Sequence, residues 1–156
     1  MRRSRKILVV SHCILNQNTV IEAEARAMGM IPSVTDWALD QGYGIVQLPC
    51  PEFTYLGLDR PPMTYQQYDT QEYRSHCRRI LQPVVDQLLA YKNSGYELIG
   101  TVGIGSSPSC DPGKGVFMEE FQSLLAENDI TLPNWWYLPD TSDPVFQPET
   151  HKRDSV

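Results

Sequence analysis

Three short apolar runs, each followed closely by a cysteine, constrain this chain more than any other feature. Residues 6–11 (KILVVS) form a nearly continuous β-branched stretch, and Cys13 stands just past it. Residues 44–48 (GIVQL) form a second run, ended by Pro49 and Cys50. Residues 97–104 (ELIGTVGI) form a third, with Cys110 in the loop that follows. Runs this short and apolar read as strands buried on both faces. Helical patterns separate them, and such alternation specifies a parallel sheet covered on both sides. The expected fold class is α/β: a Rossmann-like three-layer sandwich with a mostly parallel sheet in a single domain.

The other segments fill in that frame. Helix formers occupy residues 16–28, and Gly29 is placed to stop them. Ser33 is a candidate N-cap for a helix through Asp40. Residues 50–64, rich in Pro, Gly and aromatics, read as a long ordered loop. Residues 69–94 carry Ile80, Val84, Leu88 and Tyr91 at helical spacing, and Pro83 is expected to kink or divide that helix. A tight loop over 105–115 leads to a helix over 116–128. Residues 130–138 read as a last strand, confined by Pro133 to a sheet edge. The organisation expected is a basic leader (1–5), one domain (6–140) and a loosely ordered polar tail (141–156).

Charge and composition narrow the function classes. A chain of 156 residues can bury a core without disulfides. Its net charge of −6 argues against an extended nucleic-acid partner. The basic start (RRSRK) reads as a solvated leader. The apolar run behind it is too short for a signal peptide, and no stretch approaches the length of a membrane span. The expectation is a soluble, cytoplasmic protein. Four cysteines in that setting read as thiols, ligands or catalysts rather than as disulfides.

Parallel strands put their carboxyl ends on one edge, where open α/β sheets hold their ligands. Cys13, Cys50 and Cys110 are therefore expected to converge there. Any one of them alone reads as a small buried hydrophobe, as Cys77 in the long helix does. Three soft thiolates suit zinc or an iron–sulfur cluster. A structural zinc site wants four ligands, commonly in C-x-x-C pairs, and this chain has none. A cubane cluster normally takes four cysteines, so three leave one metal position open, as a catalytic site requires.

The neighbours of the cysteines add candidates. Glu52 follows Cys50 across Pro51 and can act as general acid or base, or be an ordinary loop carboxylate. Ser107 and Ser109, with Ser106, place hydroxyls beside Cys110 that can orient water or be simple turn residues. Asn16 can read a nucleobase edge or cap a helix. Tyr55 can stack on a ring or belong to the core. His12 and His76 each precede a cysteine without a stated role. Gly103-Ile104-Gly105 lacks the third glycine of a dinucleotide fingerprint, and Asp111-Pro112-Gly113-Lys114-Gly115 is no P-loop.

Taken together, Ser11-His12-Cys13, Cys50-Pro51-Glu52 and Ser107-Pro108-Ser109-Cys110 resemble the thiouracil-desulfidase family, formerly a domain of unknown function. The likeness extends to its branch of desulfidases through residues 11–19 (SHCILNQNT), 48–52 (LPCPE), 55–63 (YLGLDRPPM) and 116–120 (VFMEE), and covers roughly residues 5 to 140. The resemblance implies a [4Fe-4S] cluster on Cys13, Cys50 and Cys110, with one open iron that takes the sulfur of a thiocarbonyl. It implies catalytic roles for Glu52 and Ser107. The substrate class it implies is a small thiolated nucleobase, nucleoside or nucleotide, with Asn16, Ser109 and Tyr55 as candidate contacts. Asp111, where a glycine usually follows the third cysteine, departs from the family pattern, as does the Asn16-Gln17-Asn18 segment. The competing readings are a zinc site closed by a fourth ligand, a cluster-binding or sulfur-carrier module without hydrolysis, and a plain α/β domain with reduced cysteines.

Overall fold

The computed structural model describes residues 1–154. Its four strands are β1 (Lys6–Val10), β2 (Gly44–Gln47), β3 (Glu97–Ile104) and β4 (Trp135–Leu138). They form one sheet in the order β2-β1-β3-β4, with every pairing parallel. Helices α1 (His12–Leu15), α2 (Pro32–Gln41), α3 (Pro51–Leu56), α4 (Tyr65–Tyr68), α5 (Gln71–Asn93) and α6 (Val116–Glu127) connect them. The expected α/β three-layer sandwich is what the chain forms.

Alternation along β1 builds both cores at once. Ile7 and Val9 face α5 and α6, where Leu81, Val85, Leu88, Phe117 and Phe121 are buried. Leu8 and Val10 face α2, where Ile31, Val34 and Ala38 are buried. A strand apolar at every position is what two covered faces demand. No helix among the described residues is long and apolar enough to cross a membrane.

Several expectations change. Residues 16–28 are not a helix but short turns at Gln17–Thr19 and Glu22–Glu24. The buried Gln17 amide holds this irregular path, donating to the Cys13 carbonyl at 2.8 Å and accepting from the Arg26 N–H at 2.8 Å. Tertiary hydrogen bonds here override helix propensity. Secondly, Pro83 does not divide α5, which runs as one helix from Gln71 to Asn93 with Leu81, Val84, Val85 and Leu88 buried in the core. Part of the loop over 50–64 is likewise helical, as α3, and its last residue, Thr64, is the N-cap of α4.

A further change is the tail. Residues 141–156 were expected to be loosely held; 155–156 lie outside the described residues, and those from 141 to 154 run along the outer edge of β4. Phe146 is buried against Trp37 and Trp136, and Trp136 donates from Nε1 to the Pro148 carbonyl at 2.9 Å. Tyr137 N–H donates to His151 O, and Arg153 N–H to Trp135 O. Ser33, read as an N-cap, instead donates its hydroxyl to Pro144 O at 2.7 Å. The tail thus covers a strand edge that would otherwise present unpaired backbone groups.

Candidate functional site

The strand order reverses between β1 and β3, and a crevice forms beyond the carboxyl ends of the strands at such a point. Cys13 lies in α1 just past β1, Cys50 is the N-cap of α3 just past β2, and Cys110 lies in the loop between β3 and α6. All three line one cavity of about 660 Å³, together with Glu52, Ser107, Arg60 and Arg26. All four cysteines of the chain are free thiols, and Cys77 is fully buried in the core.

The Cys110 loop sits close over β3. A Cβ on Gly103 would collide with the Cys110 carbonyl oxygen and with Pro112, and one on Gly115 would collide with Ser109. Glycine at both positions is a condition of the loop's path. Inside the loop, Ser107 Oγ accepts from the N–H groups of Ser109 at 3.3 Å and Cys110 at 3.0 Å. Those bonds occupy its lone pairs and leave its O–H free to donate into the cavity. Asp111 accepts from Ser106 N–H and Gly113 N–H, both at 2.8 Å, and pairs with Arg153. Burial alone would raise the Asp111 carboxyl, but Arg153 and the two backbone donors together pull it below its ordinary value.

Burial dominates the thiols. It pushes Cys13 up to about 12, with the neighbouring Cys50 adding to the rise. It raises Cys50, against a hydrogen bond from Phe53 N–H and the field of Arg60. It raises Cys110 well above the ordinary thiol value, with Cys13 and Cys50 contributing. Desolvation, together with the repulsion that three thiolates would exert on one another, favours the protonated thiols; a cationic metal group is what would make three thiolates stable together.

Glu52 is held by Arg60, whose Nε lies 3.2 Å from Oε1 with both side chains largely buried. Arg60 also donates to Thr19 O at 2.8 Å and Gly57 O at 3.1 Å, so it is fixed on three sides. The carboxylate makes no other well-formed hydrogen bond to the protein, although the buried Tyr68 hydroxyl stands beside it. Arg60 and Arg26 place positive charge beside Cys50 and Cys13. Neither arginine was singled out from the sequence; the only available signal was that Arg60 lies in the YLGLDRPPM segment.

Three expected substrate contacts lie outside the cavity wall. Ser109 is fully buried, its hydroxyl 2.7 Å from Tyr73 Oη. Asn16 turns back to accept from Asn18 N–H at 3.1 Å, a cap rather than a base reader. Tyr55 lies on the other side of α3, against Tyr73 and His76, at a second surface cavity of about 470 Å³. In each case a local partner claims the group. His12 and His76 also lie outside the first cavity wall.

Cys13, Cys50 and Cys110 present three soft thiol donors to one cavity, a donor type that suits iron–sulfur clusters and zinc alike. Among the described residues no three His, Cys, Asp or Glu side chains group closely enough to hold a single metal ion.

Over 132 residues the chain is 45% identical to the uncharacterized protein MJ0003 of Methanocaldococcus jannaschii, a match that covers 83% of this chain and 84% of the relative. The chain belongs to the family of that archaeal protein. No family model and no solved structure matches it.

Proposed function

We propose that this chain is a member of the thiouracil-desulfidase family: a cytoplasmic enzyme that replaces the sulfur of a small thiolated pyrimidine with oxygen and releases sulfide. The observation that carries this reading is that Cys13, Cys50, Cys110, Glu52 and Ser107 line one cavity. Cys13, Cys50 and Cys110 would hold a [4Fe-4S] cluster, which when bound supplies a soft Lewis acid for the thiocarbonyl sulfur. Reduced thiols of this kind belong to a reducing compartment, which is why the reading places the enzyme in the cytoplasm.

The remaining chemistry falls to side chains. Glu52, with one oxygen fixed by Arg60, accepts a proton from the attacking water. Arg60 keeps that carboxylate aimed before the proton arrives. As water adds, charge gathers on the sulfur; Ser107 donates its O–H to the added oxygen when the adduct collapses, as that oxygen sheds its second proton and becomes the carbonyl that expels sulfide. The change is hydrolytic: C=S and H₂O become C=O and H₂S, with both water hydrogens leaving on sulfur and no electron donor required.

Anaerobic reconstitution with iron and sulfide tests the proposal. The expected result is a brown protein absorbing near roughly 400 nm that converts 2- or 4-thiouracil, with colour lost in Cys13→Ala, Cys50→Ala and Cys110→Ala and kept in Cys77→Ala. A colourless wild type, carrying zinc or nothing, defeats it. A coloured protein without turnover, indifferent to Glu52→Gln, would instead mark a cluster carrier.

A further inference from the structure

One face of α5 reaches two of the three cysteine loops. Tyr73 and His76 stand at i and i+3, so their side chains leave the helix on the same side. Tyr73 Oη lies 2.7 Å from Ser109 Oγ, both groups buried, and Ser109 adjoins Cys110. His76 Nε2 lies 2.8 Å from Thr54 Oγ1, and that hydroxyl donates to the Cys50 carbonyl at 2.7 Å.

Donor chemistry gives this chain of bonds a direction. Arg79 Nη2 lies 3.0 Å from His76 Nδ1. A guanidinium only donates, so Nδ1 carries the lone pair and Nε2 the hydrogen. Thr54 then accepts from Nε2 and passes its own hydrogen to the Cys50 carbonyl. The ring is buried and held between Tyr55, with centroids 5.0 Å apart, and Tyr73, at 6.3 Å. Burial and the neighbouring Arg79 lower the imidazole below its ordinary value, which favours the neutral ring.

We propose that Tyr73 and His76 are positioning residues that set the Cys110 and Cys50 loops in register with one another. His76 acts through Thr54 as the neutral Nε2–H tautomer. Both loops, though far apart in sequence, are thereby referred to a single rigid helix. The bonds are a property of the metal-free chain. Their consequence for a bound cluster rests on the proposed function, since outer partners that orient metal ligands are worth about 10- to 100-fold in affinity.

The test starts with the full chain, without metal. Nitrogen-15 NMR of the histidine rings, with His76 assigned by its loss in His76→Gln, reads the tautomer. The expected result is Nε2–H, with the Nε2 resonance displaced in Thr54→Val. Alkylation of each cysteine, followed by mass spectrometry, reads the loops. Thr54→Val should speed modification of Cys50 several-fold, Tyr73→Phe that of Cys110, and neither that of Cys13, while Thr54→Ser behaves as wild type. In reconstituted protein, both variants should yield their cluster to a chelator at about 10- to 100-fold lower concentration. An Nδ1–H tautomer, or unchanged alkylation in variants that fold, overturns the proposal. A wild type that takes up no cluster defeats the proposed function, and the NMR and alkylation results then decide the positioning role. Clusters equally resistant in wild type and variants would overturn the positioning role and leave the function standing.

Discussion

The carboxylate of Asp111 and the guanidinium of Arg153 meet at 2.9 Å, tying the residue after Cys110 to the tail that runs beside β4. A position that departs from the resembled family's pattern thus has a partner from the far end of the chain. The pair closes the Cys110 loop against the sheet edge, while the same carboxylate anchors the loop from within through Ser106 and Gly113.

Breaking the pair leaves Asp111 partly buried without its cation. Arg153→Ala is expected to cost about 1–3 kcal/mol at neutral pH. The folded-state value of Asp111 is depressed, so its stabilisation is complete above the ordinary carboxyl value of 3.8 and lost as pH falls through the lower folded value. Urea unfolding of wild type and variant should therefore differ at pH 7 and converge in strong acid. A difference that persists unchanged in acid would show that the tail is held by other contacts.

Glu52→Gln keeps the shape of the side chain and removes its basicity. In reconstituted protein it should lower kcat about 10²- to 10⁴-fold with KM and the visible band unaltered. Ser107→Ala should lower kcat about 10²-fold or more. It should also loosen the Cys110 loop, because two backbone N–H groups lose their acceptor. Steady-state assays under argon decide both, and wild-type turnover in Glu52→Gln would remove it from the chemistry.

Gly103→Ala should be among the most damaging single-methyl additions in the chain. The new Cβ meets the Cys110 carbonyl oxygen and the Pro112 ring, neither the free end of a flexible side chain. A loss of about 1–3 kcal/mol and a displaced Cys110 are expected. Thermal unfolding and alkylation of Cys110 read the two effects, and a variant silent in both would mean the loop can lift off β3.

Tyr68 presents the opposite case. It is buried, and its hydroxyl stands near the Glu52 carboxylate without a well-formed hydrogen bond. Removing an unsatisfied buried hydroxyl is neutral or stabilising, so Tyr68→Phe should leave stability unchanged or raise it by up to about 1 kcal/mol. A clear fall in unfolding midpoint would show that the hydroxyl bonds to Glu52 in solution.

Legibility varied with how local each cause was. The strands and helix α6 were readable because burial on two faces, and helical spacing around Phe117 and Phe121, are written in neighbouring residues. Residues 16–28 misled because their helix-forming composition is outweighed by one buried amide, that of Gln17, reaching Cys13 and Arg26. Ser109 and Tyr55 looked like ligand contacts because hydroxyls and rings near a site resemble one another in sequence; which of them faces the cavity depends on Tyr73 and His76, from a different helix.

The amino-acid sequence by itself determined the α/β class, the parallel sheet and the placing of Cys13, Cys50 and Cys110 at three strand ends. Those follow from hydrophobic periodicity and from the rule that parallel strands share a carboxyl edge. Tertiary structure alone decided that Arg60 grips Glu52, that α5 holds two cysteine loops, and that the tail clamps Asp111 through Arg153. Each of those joins groups distant in the chain, and a hydrogen bond or ion pair exists only where folding brings a donor within about 3 Å of its acceptor.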